Sequence, residues 1–148
     1  MIITICSSAN FYKHVVDIEA ELVALGFDVL VPHNANEMKK TGDFEPTHRT
    51  WLQNPDDYHK KSDYMRRHFD EIEKGDVCLV VNDEKHGKPN YIGGNVLIEM
   101  AIAFYLNKSI YIFNGLPEGT PYDEEIIGMN PVVLDGDIQK LGKLLKKK

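Results

Sequence analysis

Short β-branched runs alternate along this chain with stripes of apolar residues at helical spacing. Residues 2–6 form the first such run. Ser7, Ser8 and Asn10 then offer caps for a helix that continues to about Gly26, with Val15, Ile18, Leu22 and Leu25 on one face. Gly26 closes that helix, residues 27–31 make a second strand and Pro32 ends it. Residues 33–55 are polar and irregular, longer than most connections in compact domains, and read as an insertion that forms a flap or a partly helical segment. Helical periodicity returns over 57–74, where Met65, Phe69 and Ile72 share a stripe. Residues 77–81 are continuously apolar, as in a parallel strand buried on both faces. A polar loop containing Gly93 and Gly94 leads into a helix that Asn95 can cap and that runs to about Leu106. Strands at 109–113 and 131–134, then an amphipathic helix with Ile138, Leu141 and Leu145, complete the pattern.

This alternation predicts one α/β domain spanning 1–148, a doubly wound, mostly parallel five-stranded sheet of flavodoxin or Rossmann-like type with right-handed crossovers. Ligands of such sheets bind beyond the carboxyl ends of the strands. Here those ends are the turn at 6–10, the loop at 82–95 and the segment after Phe113.

Composition narrows the classes. With 148 residues, 43% hydrophobic and 27% charged, the chain suits a single globular domain, and no run reaches the length of a bilayer span. The opening apolar run has no basic flank and meets Ser7 and Ser8 too early for a signal peptide, so the cytoplasm is the expected location. A net charge of −6 argues against a nucleic-acid partner, and the closing Lys146-Lys147-Lys148 reads as a solvated tail. Cys6 and Cys78 lie in apolar runs without metal or disulfide spacing and read as buried thiols. The six histidines show no ligand spacing either, so neither a metal nor an organic cofactor is expected.

The most informative stretch is 96–105, where Glu99 is the only charge. A helix apolar on all sides is a buried helix, and Glu is seldom buried without a partner or a task. A capping-box role fails on register, because Val96, three residues before, is a poor cap. No Lys or Arg stands at helical spacing to pair with it. A carboxylate so placed can attack an anomeric carbon.

The Ser-rich first turn, the helix ending His-Phe-Asp-Glu-Ile-Glu-Lys-Gly before Asp76 and the stretch Gly-Gly-Asn-Val-Leu-Ile-Glu-Met-Ala-Ile-Ala-Phe-Tyr at 93–105 resemble the nucleoside 2-deoxyribosyltransferase-like superfamily, which includes the 2′-deoxynucleoside 5′-phosphate N-hydrolases. The resemblance covers most of the chain outside 33–55 and is strongest between about Met65 and Phe113. It implies that Glu99 is the nucleophile on the sugar C1′ and that Ser8, with Ser7 beside it, contacts a phosphate. The family aspartate that helps protonate the leaving base falls on His68, which can donate a proton near neutral pH. A family tyrosine falls near Thr4, an arginine near Asn10, and the region supplying a phosphate-binding serine across the family dimer near Asp123. Loss of the arginine weakens a 5′-phosphate substrate more than a free nucleoside.

Tyr91, Asn95 and Asn114 are expected at the pocket rim, Asn10 and Gly94 are expected among the substrate-binding residues, and Trp51 either stacks on a base or plugs the insertion against the body. The resulting expectation is cleavage or transfer at the N-glycosidic bond of a nucleoside or nucleotide, with Glu99 and His68 as the reactive pair, in a homodimer or larger homo-oligomer. The competing class is a sensor module that keeps the pocket without the chemistry.

Overall fold

The computed structural model describes residues 1–147. Lys148, the end of the basic tail, lies outside the described residues. The elements in chain order are β1 (Ile2–Ser7), α1 (Tyr12–Ala24), β2 (Asp28–Leu30), α2 (His33–Thr41), α3 (Tyr58–Lys74), β3 (Val77–Val81), α4 (Gly94–Tyr105), β4 (Ser109–Ile112), α5 (Asp123–Gly128), β5 (Val132–Val133) and α6 (Ile138–Lys146). The five strands form one sheet in the order β2-β1-β3-β4-β5, and every pairing is parallel.

The period-two alternation of the strands divides the core into two layers. Ile3, Ile5, Val77, Leu79 and Tyr111 point to one side, where α1 contributes Val15, Ile18 and Leu22 and α6 contributes Leu141 and Leu145. Cys6, Cys78, Val80, Ile110 and Ile112 point to the other, against Ile72 of α3, Val96, Met100 and Ala103 of α4 and Ile126 of α5. Both faces are covered, so β3 is buried at every position and its sequence is a continuous apolar run. Gly75 is fixed by close packing, since a Cβ there would collide with Thr4 Oγ1.

Several elements differ from the sequence expectation. The first helix begins with a 3-10 turn at Ala9–Phe11 and has no side-chain cap; Ser7 Oγ instead donates to the Ser8 carbonyl at 3.0 Å. Asn95 is not the cap of α4: Gly93 holds that position and Asn95 is the second helical residue. The 33–55 insertion folds as α2, which ends at left-handed Gly42, an irregular stretch and short 3-10 turns at Thr50–Leu52 and Pro55–Asp57. The α5 helix was not expected, because its six residues are too few to show a period. Nor is α4 buried all round, since Ile98, Phe104 and Tyr105 are exposed. No helix among the described residues is long and apolar enough to cross a membrane.

Candidate active site

In the order β2-β1-β3-β4-β5 the succession of strands reverses between β1 and β3, and their carboxyl ends open a crevice there. A cleft of about 250 Å³ occupies it. Its walls are Ser7 at the end of β1, Ser8 and Ala9 after it, the start of α2 and the 3-10 turn at Thr50–Leu52, one stripe of α3, the loop after β3 and the first turns of α4. The α3 stripe is Lys61, Tyr64, Met65 and His68, positions three, four and seven apart that share a helix face.

Glu99 lines the cleft from the second turn of α4 and is 4% exposed. Asn95, one turn earlier, donates from Nδ2 to Glu99 Oε1 at 2.9 Å, and Lys61 Nζ donates to Asn95 Oδ1 at 2.8 Å. The other oxygen, Oε2, is buried and has no hydrogen-bond partner among the described residues. Burial pushes the Glu99 carboxyl above the usual carboxylate range, against the opposing pull of His68, then the Cys6 thiol, Lys61 and Asn95.

His68 is also buried, with Nε2 3.9 Å from Glu99 Oε2 and 3.5 Å from Cys6 Sγ. Its Nδ1 lies 2.8 Å from Glu71 Oε2, which assigns the Nδ1 proton to that bond. Burial disfavours the imidazolium, but the carboxylates of Glu99 and Glu71 outweigh it and hold His68 above the ordinary histidine value. His68 and Glu99 therefore form an electrostatically coupled pair, 3.9 Å apart and beyond direct hydrogen-bond reach, in which each favours the charged form of the other.

The cleft is also cationic. In the loop after β3, Lys85 and Lys88 exchange both backbone hydrogen bonds across His86 (φ 53°) and Gly87 (φ 74°), the two left-handed residues of a type I′ hairpin turn. This turn aims Lys85 inward, where Nζ donates to Ser8 Oγ at 3.3 Å and lies 4.9 Å from the centre of the Tyr91 ring. Arg49 comes from the insertion, and its Nε is buried without a hydrogen-bond partner among the described residues. Among the described residues none of Arg49, Lys61 and Lys85 is ion-paired with a carboxylate. Burial first, and the Arg49 charge after it, lower the Lys85 ammonium below its ordinary value.

Of the residues singled out in the sequence, Glu99, His68, Ser7, Ser8, Tyr91, Gly94 and Asn95 meet in the cleft. Asn10 does not: it is exposed on the 3-10 turn, outside the cleft lining. Asn114 is likewise outside, engaged in holding the loop after β3 through Asn82 and Asp83. Trp51 is buried, packed 6.0 Å from Tyr64 and 6.1 Å from His48, and so anchors the insertion while forming part of the cleft wall. Asp123 accepts from the backbone amides of Gly119 and Thr120 and serves its own turn.

Lys85, Lys61, Arg49, Tyr12 and the partnership of Cys6 with His68 were missed. The His-Gly turn and the polar stripe leading to His68 were readable signals for Lys85 and Lys61. Tyr12, the first residue of α1, is buried at the cleft; desolvation and then the Glu99 charge hold its phenol protonated. No protein-family model matches the chain, and no curated protein matches it significantly.

Proposed function

We propose that the protein cleaves or transfers the N-glycosidic bond of a nucleoside or nucleotide, with Glu99 as the nucleophile on C1′. One observation carries this reading: a buried glutamate in an apolar helix faces the switch-point cleft with one oxygen fixed by Asn95 and the other free of hydrogen bonds. A structural glutamate would have both oxygens satisfied, because an unpaired buried acceptor costs about 1–3 kcal/mol.

In the reaction the pair begins as carboxylate and imidazolium. Glu99 Oε2 bonds to C1′, the bond from C1′ to the base nitrogen breaks with its electrons going to the base, and His68 gives the base a proton from Nε2. Water, or a second base, then attacks C1′ of the glycosyl ester. The attacking group returns its proton to His68, and Glu99 leaves as the carboxylate. No metal or organic cofactor is required, and the cytoplasm, where Cys6 and Cys78 stay reduced, is the fitting location.

The unpaired cations favour a phosphorylated substrate. Lys85 and Arg49 give the cleft cations where Asn10, in place of the arginine of the resembled family, supplies none, and the amides at the start of α4 add further donors. The test is incubation with a panel of nucleosides and their 5′-monophosphates, followed by chromatography for free base. Glu99→Gln keeps the bond from Asn95 and removes the nucleophile, so base release should fall by several orders of magnitude. No base from any compound, with retained nucleotide binding, would leave a sensor module in place of an enzyme.

A further inference from the structure

Cys6 of β1, His68 of α3 and Glu99 of α4 come from three elements, and their sulfur, nitrogen and oxygen atoms all lie within 4.8 Å of one another. All three are buried, at 0%, 5% and 4% exposure. We infer that this cluster binds one zinc ion, and that zinc occupying it blocks the cleft chemistry.

The geometry is close to a preformed tetrahedral face. Zinc bonds of about 2.3 Å to sulfur and about 2.0–2.2 Å to nitrogen and oxygen place sulfur and nitrogen ligands about 3.6 Å apart and nitrogen and oxygen ligands about 3.4 Å apart. Cys6 Sγ to His68 Nε2 is 3.5 Å, and His68 Nε2 to Glu99 Oε2 is 3.9 Å. The second separation must contract, and the third, sulfur to oxygen, lies within 4.8 Å; both close by movement of Glu99 Oε2, which has no hydrogen bond to give up.

The surroundings match as well. The bond from His68 Nδ1 to Glu71 Oε2 at 2.8 Å leaves the Nε2 lone pair facing the cluster, the carboxylate–histidine–metal arrangement that orients a ligand imidazole. Cys78 Sγ lies 3.4 Å from Cys6 Sγ and donates its S–H to it, a bond that a ligating thiolate would accept. A set of one thiolate, one imidazole and one carboxylate suits zinc and excludes magnesium and calcium, which take oxygen donors. Three protein ligands leave a fourth position toward the cleft that His68 and Glu99 line.

The binding claim stands apart from the glycosidic reading, and only the claim of inhibition rests on it. The first measurement is therefore made without substrate, by titrating the metal-free full chain with Zn²⁺ and, in parallel, with Co²⁺. One equivalent of each should bind, with Co²⁺ giving a near-ultraviolet thiolate charge-transfer band and tetrahedral visible bands. Cys6→Ser should abolish the charge-transfer band, and Glu71→Gln should weaken binding about 10- to 100-fold. Thermal melts confirm that each variant is folded, and His59→Gln, on the exposed surface, should bind like the parent. Absence of a one-equivalent site, or full retention of binding in folded Cys6→Ser, overturns the proposal. In the base-release assay, zinc should inhibit the parent and a chelator should restore it. Bound zinc with undiminished release would overturn the inhibition while leaving the site.

Discussion

The two oxygens of Glu99 stand in unlike surroundings, one held by Asn95 and through it by Lys61, the other unpaired beside His68. Asn95 thus does two tasks at the head of α4, positioning the carboxylate and linking it to a cation at the cleft mouth. A half-buried group at this scale contributes to acid stability. His48 packs edge-on to Tyr64 at 5.9 Å, and burial, with Arg49 and Lys61 adding to it, lowers its pKa to about 4. The unfolded imidazole takes up a proton below about pH 6.5 while the folded one stays neutral until about pH 4. Stability contributed by neutral His48 is therefore present above pH 6.5 and lost as pH falls toward 4. After allowance for solvent screening at this half-buried site the loss is about 1–2 kcal/mol. Urea midpoints measured from pH 7 to 4 should drop less steeply in His48→Gln than in the parent; equal slopes would remove His48 from the account. Glu99 was legible because charge inside an apolar run stands out in one dimension. Cys6 was not, since its partners lie on α3 and α4 and only the packed sheet brings them together.

At the scale of elements, the hairpin turn after β3 gives the cleft its most directed cation. If Lys85 holds a phosphate, Lys85→Ala should raise KM for a 5′-monophosphate about 10-fold or more, in line with about 1.5–3 kcal/mol for a charge-assisted hydrogen bond, and leave KM for the free nucleoside nearly unchanged. Equal effects on both substrates would assign Lys85 to the sugar or base instead. The α4 helix carries a second consequence: Ile98, Phe104 and Tyr105 are exposed at 44%, 53% and 82%, and Ile98, Ala101 and Tyr105 follow one helix face. That apolar stripe is expected to pair with its copy in a two-fold dimer. Sedimentation at micromolar concentration should show a dimer that Tyr105→Asp converts to monomer, and a monomeric parent would refute the pairing. Strands and long helices were legible in the sequence because their periods persist over many residues. Short pieces such as α5 and the 3-10 turns were not, being set by local turn geometry and packing.

For the whole molecule, the alternation of elements foretold a doubly wound sheet, and the crevice at its switch point is where the cleft opens. The net charge of −6 concealed an opposite local field, because Arg49, Lys61 and Lys85 are scattered along the chain and converge only after folding. The same topology bears on how the chain reaches its fold. Central β1 is stitched to β3 by the pairing of Ile3 with Val77 through Ser7 with Val81. Contacts between positions so distant in sequence demand a large loss of chain entropy before they stabilise anything, which slows folding. On a translating ribosome β1 emerges long before its partner, with one edge and two apolar faces uncovered, so this domain is expected to depend on chaperone holding until β3 has been synthesised.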